Sequence, residues 1–380
     1  MYWLPVILLL LIVFGIEIYT NKNFIKAVII VAVATLLTGI TVAIDYSVKT
    51  TDTEVWSGYV DNWRHNEEYD EWIPESCTTT TDSQGRSSTS CTPGYYQHHD
   101  AENYIHTTDG GWITVYNSPD GKVGFNDSWP NRKSELQDMW PEGIPSSSAH
   151  SYVNKVQASY SIYKHKDIDV KDYPDLPDYP KKVKNYIYVD RIIGDVPNKE
   201  AALKQLNMKN TWLNMSIPNP EKPGKTMSWK QVNLIFVNVG IDKPQEYGFA
   251  LQDHWGGGNK NDFVVSFSTD SNGDFLWTYA FSWSEVELLK LEVQDYIMGL
   301  QKISDFVPVV DEVSQKLADQ FVRKQFADFN YLQIELSTIA TILIWVFNLI
   351  GLAVSIFTAI QENEVKSRRA QRTQRYRSRY

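Results

Sequence analysis

Residues 247–267 read YGFALQDHWGGGNKNDFVVSF. The opening residues suit an amphipathic helix and the closing ones a strand. Between them, HWGGGNKND places His254, three glycines, Lys260 and Asp262 in one short loop. Such a loop can cradle a phosphate, hold a metal or turn a corner. A phosphate loop needs Gly-Lys-Ser/Thr at the start of a helix, where N–H groups and the dipole face the anion. Here the glycines follow a helix and precede a strand. Gly256 or Gly257 is therefore expected to take the left-handed C-cap conformation, and corner-turning is the first reading. His254, Lys260 and Asp262 are the ligand-binding candidates, with a divalent cation as the cofactor they could hold.

The pattern extends on both sides of this loop. Residues 198–215 read as a helix and 231–239, QVNLIFVNV, as a buried strand. Residues 243–255 suit an amphipathic helix. Residues 263–268 and 275–282 read as strands joined by TDSNGD, whose Asn272-Gly273 is a hairpin signal. Residues 284–300 form a helix with Ser284 as N-cap and Glu287 in the capping-box position. This order predicts an α/β or α+β sandwich over residues 183–308, opened by the strand-like VKNYIYVDRII (183–193). The proline-rich DYPDLPDYPKK (172–182) reads as an extended connector. Before it, residues 46–171 read as a β-rich subdomain, with SPDG (118–121) as a turn and 128–150 poorly patterned.

Three apolar runs flank this region. Residues 3–16 and 27–44 carry no charge, and 336–360 form the longest run. A bilayer needs about 20 apolar residues in a helix, so the second and third qualify and the first is short but usable. The first lacks the basic start and small-x-small site of a cleaved signal peptide. The expected architecture is a membrane-anchored protein with two spans in residues 1–45, a third at 333–360 and a basic tail at 361–380. Val310, Val313, Leu317 and Phe321 recur at helical spacing, so 309–332 reads as a helical stalk entering the third span. Phe326, Phe329 and Tyr331 would form its interfacial belt.

Charge orients the chain. Residues 45–331 hold 27 Lys+Arg against 42 Asp+Glu, a balance of −15. The tail holds Lys366, Arg368, Arg369, Arg372, Arg375, Arg377 and Arg379 against two glutamates. With Lys22 and Lys26 in the first short loop, the positive-inside rule puts the tail in the cytoplasm and 45–331 outside it. The expected site is an inner or plasma membrane. The basic tail then lies on anionic lipid, each cation contributing about 1 kcal/mol. Nucleic acid is the lesser alternative for it. On the outer side, Cys77 and Cys91 in CTTTTDSQGRSSTSC are expected to form a disulfide.

Other motifs carry less. TDSNGDF spaces Asp270, Asn272 and Asp274 like a calcium loop, but Phe275 and Phe281 occupy the places of the required Gly and Glu. YYQHHDAENYIH (95–106) holds His98, His99, Asp100 and His106, yet adjacent residues of a strand face opposite ways. No Gly-x-Ser-x-Gly, His-Glu-x-x-His or Cys-x-x-Cys occurs. In the apolar runs, Glu17 can reach toward Lys22, and Asn348 wants an interhelical partner.

The element order over about 198–300 resembles the TPM domain, a small α/β module of membrane-anchored extracytoplasmic proteins. NLIFVNVG, then EYGFALQDHWGGGNKND, then FVVSF carry the likeness. Ala250, Trp255, Gly256, Gly258, Lys260 and Asn261 fall on the family's pattern of a helix ending in a Trp-Gly-x-Gly-like corner before a buried strand. Asp262 stands where that family more often has glycine. Where the family continues with a Gly-rich acidic stretch, this chain has YAFSWSEVELL. Segments 50–60, 244–262 and 321–332 also resemble parts of bacterial and phage membrane proteins of no assigned function. The resemblance implies an accessory role in maintaining membrane proteins, and for some members a metal-dependent phosphatase activity. The expected function is a non-catalytic membrane protein whose outer region binds or maintains other envelope proteins. The alternative is a phosphatase-like hydrolase. A homo-oligomer is compatible with either.

Overall fold

A computed structural model of the chain describes residues 3–20, 24–81, 83–119, 121–126, 129–159, 164–180, 189–300 and 302–377. In chain order it begins with helices α1 (Leu4–Tyr19) and α2 (Phe24–Thr50) and strand β1 (Thr51–Asn66). Strands β2 (Tyr69–Ile73), β3 (Ser76–Thr81), β4 (Ser87–Thr92), β5 (Tyr95–His99), β6 (Glu102–Thr107) and β7 (Gly111–Thr114) follow. Next come α3 (Lys133–Met139), β8 (Pro145–Val153), α4 (Lys155–Ala158), β9 (Ile192–Ile193), α5 (Lys199–Leu213), β10 (Ser216–Pro218) and β11 (Thr226–Ser228). The chain closes with β12 (Asn233–Ile241), α6 (Glu246–His254), β13 (Asp262–Thr269), β14 (Phe275–Ser282), α7 (Glu287–Gly299), α8 (Val307–Gln320) and α9 (Thr338–Arg377). It divides into two compact units, one of residues 1–51, 153–160 and 327–380, the other of 52–152 and 161–326.

The first unit is helical. Two helices, α2 and α9, are long and apolar enough to cross a membrane. The expectation of three spans fails at α1, whose 16 residues rise only about 24 Å against about 30 Å of hydrocarbon. Leu9 and Val13 of α1 pack against Ala27 and Ala34 of α2 and Leu352 of α9. Gly351 allows this approach, since a Cβ there would meet Leu9 Cδ2 at 3.2 Å. Asn348 donates to Thr38 Oγ1 at 3.2 Å, the interhelical bond its position called for. Glu17 pairs with Lys26 at 2.6 Å, while Lys22 lies outside the described residues. Helix α9 runs on past its apolar part, with Lys366, Arg368, Arg369, Arg372 and Arg375 exposed along it. The Arg377 side chain and Arg379 lie outside the description.

The second unit holds two four-stranded sheets. One has the order β7-β6-β1-β8, the other β14-β13-β12-β9. In the second, β9, β12 and β13 run parallel and β14 returns antiparallel. The period of two along β12 sorts the core. Leu234 and Phe236 face α5, α7 and α8, packing with Leu206, Val293 and Val310. Ile235, Val237 and Val239 face α6 and Leu251. Helices on both faces of a largely parallel sheet explain why its central strands are apolar without alternation. The overall class is thus mixed α and β, with a three-layer arrangement around this sheet. Most of 183–193 lies outside the described residues, apart from its end in β9.

Several local expectations change. Helix α8 ends at Gln320, where Phe321 turns extended, so no continuous stalk runs into α9. Its apolar face, including Val309, Val313 and Leu317, is buried in the core of the second sheet instead. The capping box is not formed: α7 starts after Val286, and Ser284 Oγ accepts from Val286 N at 3.2 Å. The stretch 128–150 contains α3, whose Leu136 and the adjoining Trp140 complete the small core of the first sheet. SPDG does turn, with Gly121 N donating to Ser118 O at 2.9 Å. It is flanked only by the bridge Asn117–Gly124 rather than by full strands.

Candidate functional site

The glycine loop is a corner. Gly256, Gly257 and Gly258 all have positive φ, at 63°, 83° and 75°, a region open to glycine at little cost. Gly257 N donates to Gln252 O at 2.8 Å and Gly258 N to Trp255 O at 3.1 Å, which closes the C-terminus of α6. Trp255 anchors the corner by donating from its indole to Pro177 O at 2.8 Å. The proline-rich segment therefore packs onto the corner. The loop also sits at the N-terminal ends of β12 and β13, where Asn233 pairs with Asp262. Ligands of open parallel sheets bind at the opposite, C-terminal ends of the strands.

The three candidate side chains point into different settings. His254 is exposed, with Nε2 at 3.9 Å from Asp178 Oδ1. Lys260 extends its ammonium to Glu54 Oε1 at 3.0 Å and lies 4.4 Å over the Tyr152 ring. Its amide donates to the Tyr152 hydroxyl at 3.2 Å, which itself donates to Asp52 at 3.0 Å. Asp262 is buried and fully engaged: Oδ1 accepts from Asn233 Nδ2 at 2.8 Å and Tyr179 OH at 3.1 Å, Oδ2 from Asn259 N at 2.8 Å. As a set they do not converge on a point where a divalent cation could sit.

What gathers around Asp262 is a polar seam between the two sheets. Arg191, next to β9, is buried and donates from Nε to Asn233 Oδ1 at 2.7 Å and from Nη1 to Asn207 Oδ1 at 2.5 Å. Its Nη2 donates to Ser57 of β1 at 2.7 Å and Ser147 of β8 at 3.0 Å. Burial pushes the guanidinium down to about 10. Burial likewise pushes the Asp262 carboxyl up to about 7, against the opposing pull of its three donors. Tyr179 is raised well above the phenol range by burial and by Asp262. A second knot lies alongside, where buried Glu54 takes Lys260 on one oxygen and Arg323 on the other at 3.1 Å. Asn261 Nδ2 donates to Val55 O at 2.7 Å beside it. Chemically this is a fastening: its charged groups are met by side chains of the protein rather than by open solvent.

Arg191, Glu54, Tyr152 and Arg323 were not singled out in the sequence. Arg191 carried a usable signal, a lone cation in the strand-like YVDRII, where burial demands partners.

The histidines also stay apart. His98 binds Asp70 at 2.8 Å, His99 binds Glu71 at 3.0 Å, and His106 binds Asp61 at 2.5 Å. Asp270 Oδ1 accepts from the amides of Asn272 and Asp274 at 2.8 and 2.9 Å, so the calcium-like TDSNGD is a side-chain-capped hairpin turn. Among the described residues, Glu75, Cys77 and Cys91 come close enough to share a metal ion. The two sulfurs are joined in a disulfide, which excludes them as thiolate ligands.

Residues 69–99 build a two-stranded ribbon on the first sheet. β2 pairs with β5 and β3 with β4, with Cys77 opposite Cys91. Every residue of β3 and β4 is exposed, so the cross-link, the Thr79–Thr89 hydroxyl pair at 2.9 Å and the ladder hold it together. Tyr69, Trp72, Tyr95 and Tyr96 are exposed near its base. The Trp72 and Tyr96 rings lie 4.9 Å apart. No family profile, curated protein or solved structure matches the chain.

Proposed function

We propose that the protein is a membrane-anchored binding module whose outer region docks or maintains other envelope proteins. The ribbon carries this reading. Trp72 is 53% exposed and Tyr96 70% exposed, and aromatic rings of this kind anchor protein interfaces. A Cβ at position 94 would run into the Trp72 ring, so Gly94 lets that ring lie across the backbone. The TPM-like order of elements around the second sheet is consistent with an accessory role. In this reading α1, α2 and the apolar part of α9 lie in an inner or plasma membrane. Residues 45–331 are extracytoplasmic and the basic tail contacts anionic lipid from the cytoplasm. Here α2 and α9 are the spans, and α1, too short to cross, packs against them through Leu9 and Val13.

A photo-crosslinking residue at position 72, introduced into the full chain in native membranes, tests the docking role. The expected result is a discrete crosslinked species that disappears in a Tyr96→Ser background. A photo-residue at Lys316, on α8, should not give that species. No discrete species from position 72, or the same one from 316, would overturn the proposal. Orientation has its own test: a reporter active only in the cytoplasm should be silent when fused after residue 150.

A further inference from the structure

Between the base of the ribbon and the first sheet lies a cleft of about 750 Å³. This is within the range of small-molecule sites, roughly 300–1,000 Å³. Its lining includes Glu67, Asp100 and Glu102, and three tyrosines: Tyr69, Tyr104 and Tyr116. No lysine or arginine is among the lining residues. The parts are held in place. Glu102 Oε2 accepts from Tyr104 OH at 2.7 Å and Asn66 Nδ2 at 3.1 Å. Those two donors hold its carboxyl below the usual range, so it stays ionised. Tyr69 stacks on His99 with ring centroids 4.6 Å apart. Tyr116 is 74% exposed at the rim.

Carboxylates and ring faces together favour cations: the charges attract them and the ring quadrupoles hold them once desolvated. The protein already uses this chemistry beside the cleft. The Arg64 guanidinium lies 4.2 Å over the Tyr104 ring and 5.4 Å from that of Trp112. Arg64 is the cross-strand partner of Tyr104, which places both on the cleft's side of the sheet. His98 at the edge is raised by its bond to Asp70, but Asp70, Asp100 and Glu68 all lie within 4.0 Å of it, so the balance stays negative. Among the described residues, the lining carboxylates and histidines do not gather three ligand atoms at metal-binding distance, so the lining suits an extended organic cation rather than a bare metal ion.

We propose that this cleft binds a ligand bearing primary ammonium or guanidinium groups, supplied either as a free polyamine or as Lys and Arg side chains of a peptide. The site stands independently of the docking role of the ribbon.

The full chain in detergent micelles is titrated calorimetrically at low salt with spermidine and, separately, with the amide of Gly-Arg-Arg-Gly. The citrulline version of the peptide and the neutral saccharide maltotetraose serve as comparators. Saturable binding of spermidine, of the arginine peptide or of both is expected, and tells the two sources apart. Binding should weaken about tenfold in Glu102→Gln combined with Asp100→Asn, as loss of charge partners predicts. It should also weaken in Tyr116→Ala, an exposed position whose truncation leaves the core untouched. Absence of binding by both cations overturns the proposal. So does equal binding of the citrulline peptide, stronger binding of the saccharide, or indifference to both variants.

Discussion

Arg191 and Asp262 share one amide. Asn233 accepts from the guanidinium at 2.7 Å through Oδ1 and donates to the carboxylate at 2.8 Å through Nδ2. The buried cation thus touches only neutral groups, with its counter-charge one residue away. The same guanidinium reaches Ser57 and Ser147 on the first sheet and Asn207 on α5. One side chain therefore ties both four-stranded sheets of the second unit.

Removing that tie should be costly. Arg191→Ala strands four buried acceptors, on three elements of the two sheets and on α5, which is expected to cost about 3–5 kcal/mol. Arg191→Lys should recover only part of this, because an ammonium lacks the planar fork that serves acceptors on three sides. Denaturant unfolding of the purified chain reads both. A loss within about 1 kcal/mol for the alanine variant would mean the seam is not a fastening.

The Asp262 carboxyl gives the seam a pH dependence of definite sign. Its folded value is about 7, against about 3.9 in an unfolded chain. Across that interval the folded chain keeps a proton the unfolded one has released. The group's contribution is therefore complete below about pH 4 and fades as pH rises toward 7, by roughly 4 kcal/mol in all. Asp262→Asn abolishes this titration, though its amide meets the Asn259 N–H poorly and lowers stability at every pH. The readout is the slope: unfolding free energy should fall less steeply from pH 4 to 7 in the variant than in the wild type. Parallel slopes would mean the carboxyl is not held protonated.

Much of the second sheet was legible because its signals are local. The apolar run NLIFV is buried from end to end in β12, and Gly273, with φ of 87°, turns the hairpin expected of Asn272-Gly273. The first sheet was harder to read. β1 pairs with β6 across the whole ribbon, Arg64 with Tyr104 for example, and nothing local marks a partner 40 residues away. The site was misread for a related reason. His254, Lys260 and Asp262 lie within nine residues of each other, but their partners Asp178, Glu54 and Asn233 come from three distant segments. α8 looked like a stalk because its stripe is truly apolar; the stripe faces the core of its own unit.

Lys260 tests whether the corner is structural. Glu54 is buried and its two oxygens meet Lys260 at 3.0 Å and Arg323 at 3.1 Å. Glu54→Gln leaves two partly buried cations facing each other and should cost about 3–5 kcal/mol. Lys260→Met keeps the Arg323 bond and should cost about 1–2 kcal/mol. The double variant should fall short of the sum, since the residues share one contact. If Lys260→Met left stability unchanged, the lysine would be free for a ligand and the corner would need rereading.

The ribbon should behave as a separate cooperative piece. Its outer strands bury nothing, so the Cys77–Cys91 bond supplies stability the core cannot, about 3 kcal/mol for a loop of this length. Cys77→Ser with Cys91→Ser should therefore leave the main thermal transition in place while the tip frays. Limited trypsin digestion at Arg86, near the turn between β3 and β4, distinguishes the two levels. Cleavage there should be slow in the oxidised wild type and fast in the double serine variant, with the rest of the chain equally resistant in both. A main transition that drops with the disulfide would instead mean that the ribbon is energetically continuous with the sheet, and that local fraying is the wrong description of it.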